Sequence, residues 1–365
     1  MKVKKISLKS QKKGMDLPLL ISILILLSFG LIILYDASVI QALRDFNDGF
    51  YYIRAQLIWA GLGLMSLIFF TKFDYKKLKV YSTPLMLFSL LLLLTVFIPG
   101  LGVWGGGAHR WLKIGPVTIQ PAEIIKLTGV IYLAAVFEKG TKLLPFLTLV
   151  LPVTIVMAIL QKDLGSTIVF VVCAILIYFA SGGPLWHFLI GLPLGLIGLI
   201  GLIFSSSYRS KRVLAFLDPF SDPQGFTYHI SQVLIALGSG GLFGLGLGHS
   251  RQKFEYIPQV HTDSIFGIIG EELGFLGSVF LISLFMLVIL RGLKIAQKCP
   301  DNFGRILALG LTSWIGVQVI INLSSMTALL PLTGVPLPFI SYGGSALVVN
   351  LTAIGILLNI TKQTT

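Results

Sequence analysis

The residues with most chemistry in reach stand in one run, Tyr256-Ile-Pro-Gln-Val-His261-Thr262-Asp263-Ser264-Ile-Phe-Gly267-Ile-Ile-Gly270-Glu271-Glu272-Leu-Gly274. A carboxylate at the edge of an apolar phase can take a proton from an attacking hydroxyl, which is general-base chemistry. Asp263 could instead only cap a helix, because acidic side chains favour a helix N-terminus. At about 100° per residue, Asp263, Gly267, Gly270, Gly274 and Gly277 share a narrow arc, so a carboxylate tops a glycine stripe. Such a stripe admits a close-packed helix or a lipid chain lying against backbone. Glu271 and Glu272 follow near membrane depth, where acids face a partner or a wet cavity.

Three further groups stand apart from this run. His109-Arg110-Trp111 precedes Gln120-Pro121-Ala122-Glu123-Ile-Ile-Lys126. Pro121 suits a first helical position, and Glu123 and Lys126 share a helical face. They form either a structural ion pair or a pair that lines a substrate site. In Gln161-Lys162-Asp163-Leu164-Gly165-Ser166, Asp163 is a helix cap or a site residue. Arg209, Lys211 and Arg212 precede Asp218-Pro219-Phe220-Ser221-Asp222-Pro223-Gln224-Gly225 and Tyr228-His229-Ile-Ser-Gln232. These cations could hold phosphates or simply attract anionic lipid. The stretch beginning at Tyr228 has helical periodicity and reads as lying along the membrane surface. Gly244-Leu-Gly246-Leu-Gly248 lacks the strand–turn–helix context of a dinucleotide site. The five histidines show no metal-ligand spacing, and Cys173 and Cys299 make no disulfide framework.

The elements that must position these groups are membrane helices. The 365 residues are 55% hydrophobic and 12% charged, about half the charge of a soluble domain. A bilayer core requires about 20 apolar residues per helix. Apolar runs occur at 17–35, 55–71, 80–98, 120–137, 143–160, 164–181, 185–204, 264–290, 304–325 and 341–361. The expectation is therefore an all-α polytopic membrane protein with about ten transmembrane helices. The first run has no small-x-small cleavage site before Asp36 and reads as a retained helix, not a removed signal. Net charge is +13, but the positive residues sit in short connectors, which argues against nucleic acid. Lys and Arg crowd the N-terminal tail and the connectors near 72–79, 139–142 and 291–305. The outer side has Arg44, Arg54, Arg110, Lys113 and Lys162 outside the long loop. Both termini are thus expected to be cytoplasmic. The expected division is a basic tail at 1–16, one transmembrane domain at 17–361 and a short C-terminus at 362–365. Within the domain, 205–263 forms a long extracytoplasmic loop between helices 7 and 8. The segment 327–344, with Pro331, Pro336 and Pro338, reads as irregular chain re-entering the membrane edge, tolerated only against protein or a wet cavity. The segment 99–121 is glycine-rich and unlike an ordinary connector.

Taken in order, several motifs resemble the SEDS (FtsW/RodA) family. They are Gly107-Ala-His-Arg-Trp-Leu112, Gln120-Pro-Ala-Glu123, Gln161-x-Asp-Leu-Gly165 and Leu217-Asp-Pro219. Gly238-Ser-Gly-Gly241, His261-Thr-Asp263, Gly270-Glu-Glu-Leu-Gly274 and Pro336-Leu-Pro-Phe-Ile-Ser-Tyr-Gly-Gly344 complete the series. Gly246-Leu-Gly248-His-Ser-Arg-Gln-Lys253 looks more like division-type FtsW than elongation-type RodA. Lys162, Ser264 and Ala346 depart from common family residues, but none is the presumed catalytic acid.

The resemblance implies a peptidoglycan glycosyltransferase in the bacterial plasma membrane. It would polymerise lipid II with release of undecaprenyl pyrophosphate, alongside a class B penicillin-binding transpeptidase and other divisome proteins. Asp263 maps onto the family's essential acid, and Glu123, Lys126 and Asp163 map onto family positions. Asp263 is then expected as the general base. Arg110, Glu123, Lys126, Asp163, Arg212, Gln232, Arg251 and His261 are expected to bind substrate, with Arg110, Lys126, Arg212 and Arg251 candidates to stabilise the leaving group. No cofactor is expected with certainty. A divalent cation stays open, without a visible ligand set. The competing readings are a lipid II flippase or transporter, an elongation-type polymerase, and a scaffold that only recruits a transpeptidase.

Overall fold

The computed structural model describes residues 14–105, 108–115, 117–254 and 256–362. The expected tail at 1–16 falls outside these up to residue 13, as do residues 363–365 of the expected C-terminus and Gly107 of the first motif.

Each apolar run lies in a helix. The chain order begins α1 (Leu17–Phe46), α2 (Tyr51–Lys72), α3 (Tyr75–Thr95), α4 (Pro121–Phe137) and α5 (Leu143–Ile155), whose last turn widens to a π-turn at Val156–Leu160. It continues α6 (Leu164–Ala180), α7 (Leu185–Phe204), α8 (Ser207–Leu217), α9 (Tyr228–Ser239), α10 (Ile265–Lys298), α11 (Asn302–Met326) and α12 (Gly344–Thr361). Among the described residues, eight are long and apolar enough to cross a membrane. The α4 and α6 helices have 17 residues each, at the short end of what a bilayer requires. Local chemistry sets the ends. Asp16 Oδ1 accepts from the Leu19 N–H at 3.0 Å and starts α1, and Asn47 closes it in a left-handed conformation at φ 53°.

Among the helices long enough to span, α11 and α12 are the most buried, with 72% and 83% of their most apolar windows inside the protein. Small residues let neighbours approach: the Gly63 position of α2 lies against Leu351 of α12, and Gly292 of α10 against Thr312 of α11. Polar pairs add to this, Ser66–Thr352 at 2.6 Å and Ser89–Thr128 at 2.7 Å. The outer faces are apolar, with Ile58 and Val80 67% and 76% exposed, as a lipid-facing surface requires. None of the α7 residues is buried.

Sequence periodicity missed three features. First, the glycine-rich 99–121 segment holds a small antiparallel sheet, β1 (Gly102–Gly105), β2 (Ala108–Ile114) and β3 (Val117–Ile119), in the order β1-β2-β3. Val103 pairs with Trp111 and Lys113 with Thr118. Ala108 and Leu112 are buried, and between them the register shifts so that Arg110 is left without a pairing partner on β1, as at a bulge. Second, the 205–263 loop contains two helices, of which periodicity showed only the one beginning at Tyr228 and placed it on the membrane surface. The apolar face of α9 rests on α10, Val233 beside Gly267 and Leu237 beside Gly270, rather than on a lipid surface. Third, α10 is broken at Gly274, at φ 66° and ψ −163°. The expected stripe therefore does not continue in register to Gly277.

The break has a partner. The chain after α9 runs beside it. Leu245 and Gly246 N–H donate to the Glu271 and Glu272 carbonyls at 3.0 Å, and Phe275 and Leu276 N–H donate to Gly241 and Leu242 at 2.9 and 3.1 Å. Every main-chain group freed by the kink shown in those pairs is thus satisfied, as membrane burial demands. The glycine stripe thus receives α9 side chains at Gly267 and Gly270 and a backbone segment at Gly274.

Candidate functional site

Asp263 ends the long loop directly before α10. Ser264 occupies the N-cap position and α10 has no side-chain cap, so the capping reading of Asp263 is not what the fold uses. Its Oδ1 accepts from Thr262 Oγ1 at 2.9 Å, and the residue is 8% exposed. Among the described residues it forms no ion pair. What fixes its position is main chain: Asn322 Nδ2 of α11 donates to the Asp263 carbonyl at 2.8 Å and to the Val335 carbonyl at 2.8 Å.

The segment 331–343 runs without helix past the site and is held by side chains of α2, α8 and α11 and by the main chain of His261. Arg212 Nη1 of α8 donates to the Leu332 carbonyl at 2.9 Å, and Gln318 Nε2 of α11 to the Pro336 carbonyl at 3.1 Å. Gln56 Nε2 of α2 donates to the Ser341 carbonyl at 3.3 Å, and the Tyr342 N–H to the His261 carbonyl at 2.8 Å. At Gly334 (φ 72°) an added Cβ would stand 3.8 Å from Asp263 Oδ2 and 3.9 Å from Arg212 Nη1. A side chain there would fill the space that carboxylate and guanidinium both face. At the same turn, Gly165 of α6 meets the Thr333 carbonyl, so α6 begins against this segment.

Positive charge gathers around that start. Arg110 Nη2 donates to the Lys162 carbonyl at 2.7 Å and Nε to Gln161 at 3.4 Å. Arg209 Nη2 donates to the Ala158 carbonyl at 3.0 Å. Burial, and then the charge of Arg110, push the Arg209 pKa down, so the two guanidinium groups sense each other. Asp163 does cap α6: Oδ1 accepts from the Ser166 N–H at 3.1 Å, while Oδ2 accepts from Gln120 Nε2 at 3.2 Å.

Glu123 and Lys126 form the expected ion pair at 2.7 Å, with side chains 1% and 2% exposed. Lys126 Nζ also donates to Gln318 Oε1 at 3.0 Å and lies 5.6 Å from the Trp314 ring centre. The pair therefore reaches the 331–343 segment through Gln318 and does not touch Asp263.

His261 is buried, its ring 4.4 Å from Tyr52 and 5.6 Å from Tyr342. Burial lowers its pKa to about 4, against the opposing charges of Asp263 and Asp45. His229 Nε2 pairs with Ser264 Oγ at 2.6 Å; burial pulls its pKa down while Asp263 pulls it up. Gln232, three residues further along α9, hydrogen-bonds none of these groups among the described residues. The Arg251 side chain is exposed, and its N–H donates to Glu271 Oε1 at 3.0 Å. That puts Arg251 in a second cluster. The structure thus places Arg212 across Gly334 from Asp263 and His261 two residues before it, while Glu123 and Lys126 reach the 331–343 segment through Gln318 and Arg110 and Asp163 stand at the start of α6. Among the described residues no group of three His, Cys, Asp or Glu side chains is arranged to hold a metal ion.

The second cluster escaped sequence reasoning. Lys253 Nζ bridges Asp36 Oδ1 of α1 at 2.7 Å and Glu272 Oε1 of α10 at 3.1 Å. Glu271 accepts from Ser250 Oγ and from the N–H groups of Arg251 and Gln252. The available signal was a set of three acids at membrane depth, which need a cation.

Comparison with known proteins follows the same lines. Residues 17–365 match the family profile described as the cell cycle protein family of FtsW, RodA and SpoVE. The chain is 40% identical over 361 residues to stage V sporulation protein E of Bacillus subtilis, covering 97% of this chain and 98% of that protein. It is 38% identical to a probable peptidoglycan glycosyltransferase FtsW of Geobacter sp. strain M18, covering 96% and 98%. Among solved structures, one chain of a peptidoglycan synthase complex that coordinates polymerization and crosslinking matches with a TM-score of 0.79 and 28% identity, over 95% and 97% of the two chains. The rod shape determining protein RodA of Thermus thermophilus matches with a TM-score of 0.71 and 28% identity, over 96% and 97%.

Proposed function

Because the chain belongs to the FtsW/RodA/SpoVE family and is a multi-pass membrane peptidoglycan glycosyltransferase, we propose that Asp263 is its general base. The donor is lipid II, an undecaprenyl-linked disaccharide. A sugar hydroxyl of the acceptor attacks the anomeric carbon of the donor. The new glycosidic C–O bond forms as the bond to pyrophosphate breaks. The proton goes to Asp263, and undecaprenyl pyrophosphate leaves. The observation that carries this reading is a carboxylate without an ion pair among the described residues, held by its main chain, that faces Arg212 across Gly334.

Developing negative charge on the leaving pyrophosphate is best met by fixed cations. Arg212 supplies one beside the base, and Arg110 and Arg209 supply two more near the start of α6. The buried Glu123–Lys126 pair supports the polymerase over the transporter, because it is tied to Gln318 rather than lining an open path. Relatives named FtsW favour a role in division. The membrane is the bacterial plasma membrane, with both termini cytoplasmic. The partner is a class B penicillin-binding transpeptidase, working with other divisome proteins.

The test is polymerisation of lipid II by Asp263→Asn protein at matched membrane abundance. Loss of at least about 100-fold is expected of a general base; full activity would remove Asp263 from that role. Running the assay in detergent separates the two classes, since glycan chains formed there cannot arise from flipping.

A further inference from the structure

We propose that the hairpin of α2 and α3 carries a binding site for an anionic glycerophospholipid, remote from Asp263. The two helices pack on different neighbours. The α2 helix packs on α12 through Gly63 and Ser66, and α3 packs on α4 through Ser89. Near their connector lies a cavity of about 330 Å³ lined by Phe69, Phe70, Phe73, Leu78, Tyr81 and Leu85. The lining is almost wholly apolar, and Phe69 and Tyr81 are 57% and 53% exposed. This suits acyl chain and offers a polar ligand nothing.

The chemistry changes at the mouth. Lys72, Lys76 and Lys77 lie at the connector end of the hairpin and are exposed. None of the three forms an ion pair among the described residues, whereas Lys79 is paired with Glu138. Lys77 Nζ lies 5.9 Å from the ring centre of Phe73, a lining residue. A cationic mouth over an apolar cavity complements a phosphate head carrying hydrocarbon. Each basic residue near an anionic membrane surface contributes about 1 kcal/mol. Removing three is therefore expected to weaken the preference on the order of 100-fold.

The test places a fluorescent reporter in the cavity of the full chain by Tyr81→Trp, in vesicles doped with brominated phosphatidylglycerol or brominated phosphatidylcholine. Preferential quenching by phosphatidylglycerol at low mole fraction is expected, and its loss when Lys72→Gln, Lys76→Gln and Lys77→Gln are added. A control reporter, Leu144→Trp, stands 73% exposed near Lys139 and Lys142 but outside the cavity, and is expected to show weaker preference. Equal quenching by both lipids overturns the site, as does a preference that survives the three substitutions. Equal preference at the control position also overturns it, because general surface attraction then suffices. Retention of phosphatidylglycerol by the unsubstituted protein in native mass spectrometry provides a readout without any reporter, and no excess over phosphatidylcholine there overturns the site as well.

Discussion

His261 sits two residues from the base, in van der Waals company with Tyr52 and Tyr342, and its Nδ1 is buried without a hydrogen-bond partner. Burial therefore disfavours the imidazolium and holds the pKa near about 4, against roughly 6.5 in an unfolded chain. A depressed basic group gives the unfolded state more bound protons between those values, so stability falls as pH drops through this window. Acidification from pH 7.5 to 5 is expected to cost about 2 kcal/mol from this residue. His229 pulls in the same direction. Thermal unfolding in detergent at the two pH values checks this, with His261→Phe as the comparison because Phe fits among the same rings. An identical acid-induced loss in wild type and His261→Phe would sink the assignment. The roles at this scale were only half legible. The spacing of Glu123 and Lys126 announced an ion pair, and Asp163 announced a cap. Asn322, by contrast, gave no sign that its carboxamide would tie Asp263 to Val335, 59 and 13 residues away.

At the scale of the element, helices were legible because apolar runs of membrane length leave few other structures open. The small sheet at 102–119 was not, since its strands are short and its turns glycine-rich. The break in α10 was hidden for a different reason. Glycines spaced three and four apart suit a continuous helix, and only the incoming 241–246 backbone decides otherwise. At φ 66° and ψ −163°, Gly274 occupies a region essentially closed to other residues. An added Cβ would also stand 2.3 Å from the Gly244 nitrogen. Gly274→Ala is therefore expected to lose at least about 3 kcal/mol, seen as lower membrane abundance and an earlier thermal transition. Gly195→Ala on α7 meets nothing within 4 Å and adopts ordinary helix, so it is expected to be neutral or to gain up to about 1 kcal/mol. Equal behaviour of the two variants would show that the break is not required.

For the whole molecule, the sequence announces that the chain is built of membrane helices far better than which of them meet. A membrane helix is apolar towards lipid and towards protein alike, so periodicity says little about neighbours. Long-range polar pairs carry that information instead. Lys253 joins α1 to α10 by bridging Asp36 and Glu272, groups that lie 217 and 19 residues away. Glu271, adjacent in α10, is satisfied by the same 250–252 turn. The turn thereby locks the first helix to the helix that follows the base. Removing one partner of a buried ion pair costs about 3–5 kcal/mol, because a charge is left without compensation. Lys253→Met leaves two carboxylates facing one another, and is expected to lower the unfolding temperature and the polymerisation rate together. Asp36→Asn added to Lys253→Met removes one of those charges and is expected to restore part of both. If instead the double variant is no better than Lys253→Met, the carboxylates do not repel across this interface. The coupling of α1 to α10 would then have to rest on apolar packing and on the Arg291–Asp16 pair at 3.7 Å.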